Sequence, residues 1–151
     1  MTYDHHAPAI VFPARQTNSL GVIRSLGRKG IHVIGLDYLP MSVGFRSRYC
    51  TGKLCPDPGH EEGPFIDFLL GLGRRLATKG VLFLMDDFYV FLATKYREDL
   101  EKYFLFPYLE SDTLHHCMDK RKMMETVRAL QIPLPDSYWS DLREDIVKVA
   151  R

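Results

Sequence analysis

Long apolar runs are missing from this chain, and with them several whole classes of protein. The longest, such as Val81 to Met85, fall far short of the roughly 20 residues that cross a bilayer, so no transmembrane helix is expected. The start, MTYDHHAP, is polar and has no apolar stretch of signal length. Cysteine is scarce and odd in number: Cys50, Cys55 and Cys117. Reduced thiols in a cytoplasmic protein are the simplest reading. Neither sign of charge dominates, with 20 basic residues against 19 acidic ones for a formal +1. No global field draws in nucleic acid or an anionic membrane, so any anion site must be local. Phosphate-loop, nucleophile-elbow and zinc-protease motifs are absent, as are internal repeats and low-complexity stretches. The spacing of Cys50, Cys55 and His60 fits no standard zinc pattern, and His115-His116-Cys117 fares no better.

What is present is apolar material in short, regular pieces. At 151 residues and 46% hydrophobic content the chain can bury one ordinary core. Ala9-Ile10-Val11-Phe12 reads as a strand, and Asn18 to Lys29 as a helix with Leu20, Ile23 and Leu26 on one face. Gly30 suits the left-handed position after that helix, and Ile31 to Asp37 reads as a second strand. A loop-rich stretch with a short strand inside Arg48 to Leu54 follows. A helix from Pro64 carries Phe65, Leu69, Leu72 and Leu76 at helical spacing, with Gly80 expected to close it. Val81 to Met85 is apolar at every position, as a strand covered on both faces should be. Another helix starts at Asp86-Asp87 with Phe88, Phe91 and Leu92 inward, and Tyr103 to Phe106 is a fifth strand candidate.

This alternation predicts an α/β fold, a Rossmann-like three-layer sandwich with a mostly parallel sheet of 4–5 strands, followed by C-terminal helices. The pattern changes after Pro107. Glu110 to Cys117 and Asp119 to Leu130 read as helices with no strand between, the second with Met123, Val127 and Leu130 inward. An extended Ile132-Pro133-Leu134-Pro135 and a last helix capped by Ser140 complete the chain. The expected division is 1–118 and 119–151.

The strongest motif is Asp119-Lys120-Arg121-Lys122-Met123, then helix, then Gln131-Ile132-Pro133-Leu134-Pro135-Asp136-Ser137. It resembles the entry to the central domain of ATP-grasp enzymes, written D-K-x-x-M, helix, G-I-P-x-P-x-T. The stretch Ser19 to Asp37, Ser47-Arg48-Tyr49-Cys50 and the pair Asp86-Asp87 look like the domain that precedes that core in carboxylate-amine ligases of the superfamily. Pro13-Ala14-Arg15-Gln16-Thr17 stands where the family often has a glycine-rich turn, Asp87 where it often has Glu, and Gln131 and Ser137 replace a glycine and a threonine. The resemblance implies an ATP- and Mg2+-dependent ligase that activates a carboxylate as an acylphosphate and lets an amine displace phosphate. It makes Lys120 the residue that approaches nucleotide, and implies that first domains often pair as a homodimer. The metal-binding acids of the family lie on later lobes, so this fragment is expected to lack the catalytic core, to bind neither cofactor tightly and to be inactive alone.

Other candidate residues sit where a parallel sheet gathers ligands. Asn18 and Ser19 open the first helix, either as plain caps or with free amides for a substrate carboxylate or phosphate. Asp37 ends the second strand where a ribose-binding acid would stand, without the glycine fingerprint that should accompany it. Asp86 and Asp87 either hold a substrate amine or cap a helix. The competing reading is a non-catalytic Rossmann-like module that binds a small ligand or a protein. The tail discriminates: from Asp119 onward, a piece of a second domain should have its apolar face exposed, swapped between chains or poorly ordered, and a module should have it docked.

Overall fold

The computed structural model describes residues 7–108 and 110–135. Two compact units make up the chain, Met1–Tyr108 and Leu109–Arg151. In the first, β1 (Ala9–Phe12), α1 (Thr17–Arg28), β2 (Val33–Asp37), a 3-10 turn (Val43–Arg46) and β3 (Cys50–Leu54) are followed by α2 (Glu62–Gly73), β4 (Gly80–Leu84), α3 (Asp87–Lys95), α4 (Arg97–Leu100) and β5 (Phe104–Leu105). The second contains α5 (Ser111–Met118) and α6 (Lys120–Ala129).

All five strands are parallel, in the order β3-β2-β1-β4-β5. The chain starts in the middle of the sheet, runs outward through β2 and β3, and returns through α2 to build β4 and β5 on the other side of β1. Crossovers of one hand must then place α1 on one face and α2 and α3 on the other. The packing agrees. Alternate residues of β1 and β2 divide between two clusters. Ala9, Val11 and Val33 meet Ile23 of α1, while Ile10, Phe12, Ile34 and Leu36 join Phe65, Ile66, Leu69 and Leu72 of α2 and Leu92 of α3. This is a Rossmann-like three-layer α/β fold.

Each helix has an identifiable beginning or end. Gly30, at φ 79°, takes the left-handed position that follows α1, and Asp86 caps α3 by accepting from Phe88 N. α2 stops at Gly73, short of the expected end. An added Cβ at Gly73 would lie 2.5 Å from Tyr103 Cβ, so the close approach of the β5 entry needs glycine there. Gly80 is accordingly no helix closer. It is the first residue of β4, where a Cβ would meet Ile10 Cδ1 at 2.4 Å. In α3 the inward aromatic is Tyr89, and Phe88 points out at 44% exposure.

The two compact units meet at Tyr108/Leu109, and α5 associates with α6 in the second. Asp119 Oδ1 accepts from Arg121 N and Lys122 N and so caps α6, but no residue of α6 is buried. Of the residues expected to face inward, Met123 and Leu130 are 41% and 65% exposed and Val127 is half-buried, and Ile132 beyond them is 51% exposed. Asp136, Ser137 and the helix expected after Ser140 lie outside the described residues.

Stability should therefore be sensitive to the α2 face and indifferent to the α6 stripe. Phe65→Ala removes a fully buried ring and should lower unfolding free energy by about 3–5 kcal/mol. Leu130→Ala should change it by less than about 0.5 kcal/mol. Urea denaturation followed by circular dichroism measures both, and comparable losses would contradict this division of the core.

Candidate functional site

An open parallel sheet offers a crevice where neighbouring strands send their connections in opposite directions. Here that switch point lies between β1, which leads to α1 toward β2, and β4, which leads to α3 toward β5. The loop after β1, the end of β2 and the start of α3 all reach this carboxyl edge.

Asp37 closes β2 with a side chain of 0% exposure. A buried carboxylate must be matched by donors, and three are aimed at it. Arg15 N donates to Oδ2 at 2.7 Å, Arg15 Nη1 to Oδ1 at 2.9 Å, and Leu39 N to Oδ1 at 3.2 Å. Arg15 extends from this anchor: Nη2 donates to Tyr89 Oη at 3.4 Å, and the guanidinium lies 4.6 Å from the centre of the Tyr38 ring. Burial works to lower the Arg15 pKa, but the hydrogen bonds and charge of Tyr89 and Asp37 outweigh it and the guanidinium is held above its ordinary value. Burial raises the Tyr89 phenol, with the Arg15 hydrogen bond opposing it. The cluster is a fixed cation, one side of it toward solvent, pinned by an anion that solvent does not reach.

The rim is built differently. Asp86 Oδ1 accepts from Phe88 N at 3.1 Å and caps α3, while Oδ2 accepts from Gln16 Nε2 at 3.0 Å. Gln16 is the residue before α1, so one exposed hydrogen bond joins the starts of the two helices that flank the switch point. Asp87, the first residue of α3, is exposed. Asn18 is exposed and accepts from Ser19 N at 2.9 Å. Ser19 is wholly buried, and its Oγ donates to Pro13 O at 2.6 Å, which fastens the turn after β1 to the helix that follows.

The candidates named from the sequence thus part ways. Asn18, Asp86 and Asp87 stand at the solvent side of the edge with groups a ligand can reach. Ser19 and Asp37 are occupied internally: the one holds a turn and the other holds Arg15. Lys120 is exposed in the first turn of α6, in the second unit. Arg15, Gln16, Tyr38 and Tyr89 were not picked out. Their one signal was position, since Arg15-Gln16 follows β1 where a ligand-cradling turn belongs. The edge residues just named include no histidine, cysteine or lysine, and the one thiol beside them is Cys55, whose N donates to Asp37 O at 3.0 Å. The arrangement can bind through carboxylate, amide and guanidinium groups, and it has no nucleophile paired with a base.

Cys55 is pushed up to about 12, chiefly by burial and then by the Asp37 charge, and burial also raises Cys50. Among the described residues no group of three or more His, Cys, Asp or Glu is placed to hold a metal ion, and no helix is long and apolar enough to cross a membrane. In comparisons with known proteins, no family model matches the chain and no curated protein sequence matches it.

Two measurements test this geometry. Asp37→Asn should destabilise the fold by about 2–4 kcal/mol, the lower end reflecting the solvent side of Arg15, because it turns an acceptor toward three donors into an amide. Thermal unfolding reads the loss; an unchanged melting temperature would show that Asp37 is not a structural anchor. Ellman's reagent at pH 8 should find one fast thiol, the exposed Cys117. Cys50 and Cys55 should react only slowly until the protein is unfolded, since burial raises both thiols and Cys55, near 12, is thiolate in only about one molecule in ten thousand at that pH.

Proposed function

We propose that this chain contains the substrate-side domain that precedes the ATP-grasp core of a carboxylate-amine ligase, and that α6 opens the core itself. The observation that carries the reading is the exposed apolar stripe of α6. Met123 and Leu130 recur at helical spacing on a well-capped helix with no buried residue, which is what a piece of a larger domain should look like before the rest of that domain covers it. The D-K-R-K-M opening of the same helix, with Asp119 as its cap, is the feature on which the resemblance rests.

On this reading the first unit presents Asn18, Asp86 and Asp87 to a substrate at the carboxyl edge, with the two acids suited to an ammonium group. Lys120 brings a point charge to a nucleotide phosphate. ATP supplies the phosphoryl group that turns a carboxylate into an acylphosphate. As the resemblance implies, the acids that hold magnesium for phosphoryl transfer would lie on later lobes of the family's core. The whole protein would act in solution, with first domains paired as a homodimer.

The decisive experiment takes the intact gene product that carries this sequence and measures ADP release against panels of carboxylates and amines. Release that requires both partners is expected. Lys120→Ala should raise KM for ATP about tenfold, the loss of one charge-assisted contact. A protein that neither binds ATP nor releases ADP with any pair would overturn the proposal.

A further inference from the structure

The balance of charge over the whole chain conceals a strong local imbalance. Residues 14–54 contain seven basic side chains and a lone acid, Asp37, which is buried against Arg15. The other six, Arg24, Arg28, Lys29, Arg46, Arg48 and Lys53, are all exposed. Among the described residues none of them pairs with an Asp or Glu. Residues 55–108 carry nine acids against six bases, so the first unit is polarised.

Packing concentrates this charge on the flank between α1 and β3. Gly27 has no side chain, and an added Cβ would lie 2.3 Å from Tyr49 Cβ, so the Tyr49 ring rests directly on α1. Ile23 Cδ1 likewise reaches Gly44 of the 3-10 turn. Arg24 and Arg28, four residues apart on α1, share the side of the helix next to these contacts. Arg48 Nη2 donates to the Tyr49 hydroxyl at 2.6 Å, with the Arg48 guanidinium 4.8 Å from the ring centre, and Arg28 follows the Gly27 on which the ring rests, so its charge adds to that of Arg48. These neighbours, Arg48 first, hold the phenol below its ordinary value.

Two guanidinium groups beside one tyrosine, neither ion-paired with a carboxylate among the described residues, repel each other at a cost that an anion would relieve. The helix dipole accounts for basic residues at the end of α1, Arg28 and Lys29. It does not account for Arg48, which comes from a different segment, or for the lack of any exposed acid over 41 residues. Guanidinium pairs match the geometry of phosphate oxygens, which accept two parallel hydrogen bonds from each fork.

We propose that the Arg28–Tyr49–Arg48 cluster binds a phosphate group of a small molecule or a lipid headgroup, with Arg24 and Lys29 adding attraction at its border. The site lies on the flank formed by Gly27 and the entry to β3, apart from the switch-point edge, and stands whether or not the chain belongs to a ligase.

Calorimetric titration of the chain with inorganic pyrophosphate at low salt tests it. Saturable binding is expected, weakened about tenfold or more by Arg28→Gln and by Arg48→Gln, the loss of one bidentate contact. Arg74→Gln, on the opposite half of the first unit, should leave it unchanged. All three side chains are exposed, and equal melting temperatures would show that the variants fold. Sedimentation with phosphatidylcholine vesicles doped with phosphatidic acid separates the two sources. Recruitment that pyrophosphate competes away identifies a headgroup, and pyrophosphate binding without recruitment identifies a soluble phosphate compound. The proposal fails if neither probe binds, if the two variants bind as well as the parent, or if a single-stranded oligonucleotide binds where pyrophosphate does not.

Discussion

A carboxylate removed wholly from water has to be answered by donors, and much of the upper edge of this domain follows from how Asp37 is answered. Two of its three donors are backbone amides, Arg15 N and Leu39 N, so the loops after β1 and β2 are fixed by the same charge. The third is the Arg15 side chain, which carries the constraint on to Tyr89 of α3. Strands β1 and β2 and helix α3 are thereby tied at a point where the backbone ladder has ended. Ser19 adds a second fastening from α1 to Pro13. The crevice at the switch point owes its rigidity to these contacts, and the exposed Gln16–Asp86 bridge lies over them as the part a ligand can exchange for its own hydrogen bonds.

That hierarchy was only half legible in the sequence. Strands β1, β2 and β4 announce themselves as short apolar runs, and Gly30 marks the end of α1 by a conformation that favours glycine. Which acid is buried is another matter. Asp37 and Asp86 both end apolar strands, and nothing local distinguishes a carboxylate that faces an arginine 22 residues away from one that faces water. The same holds for α3, where Phe88 and Tyr89 are both aromatic neighbours at the helix start. The tyrosine turns inward with a hydroxyl that reaches Arg15, and a choice that rests on a distant partner leaves no trace in periodicity. Gly80 misleads for a related reason: a glycine before a strand looks like a helix stop until Ile10 is seen to press on it.

Helices α1 and α6 make an instructive pair, because each is amphipathic by spacing and only one has its apolar side covered within the described structure. Ile23 of α1 lies against β1 and β2 with no exposure. The corresponding face of α6 stays in contact with water. Amphipathicity states that a face favours cover and is silent about what provides it. Expecting Met123, Val127 and Leu130 to point inward treated the pattern as though it contained its own partner. The exposed stripe is for that reason more informative than a buried one would have been, since it sets a requirement that something outside α5 and α6 must meet.

Charge obeys the same logic of scale. A formal +1 describes what a distant ion experiences, and at physiological salt no ion experiences the whole molecule, because exposed charges are screened over about 8 Å. The basic stretch 14–54 and the acidic stretch 55–108 partly offset each other in the sum and are separate along the chain. At Tyr49 the relevant charges are Arg48, which donates to its hydroxyl, and Arg28, next to the Gly27 that the ring covers. Overall neutrality thus argues against binding to long polyanions by bulk attraction while leaving room for a single anion held by geometry. The glycine at position 27, by admitting the Tyr49 ring against the helix, is what turns scattered surface charge into such a geometry.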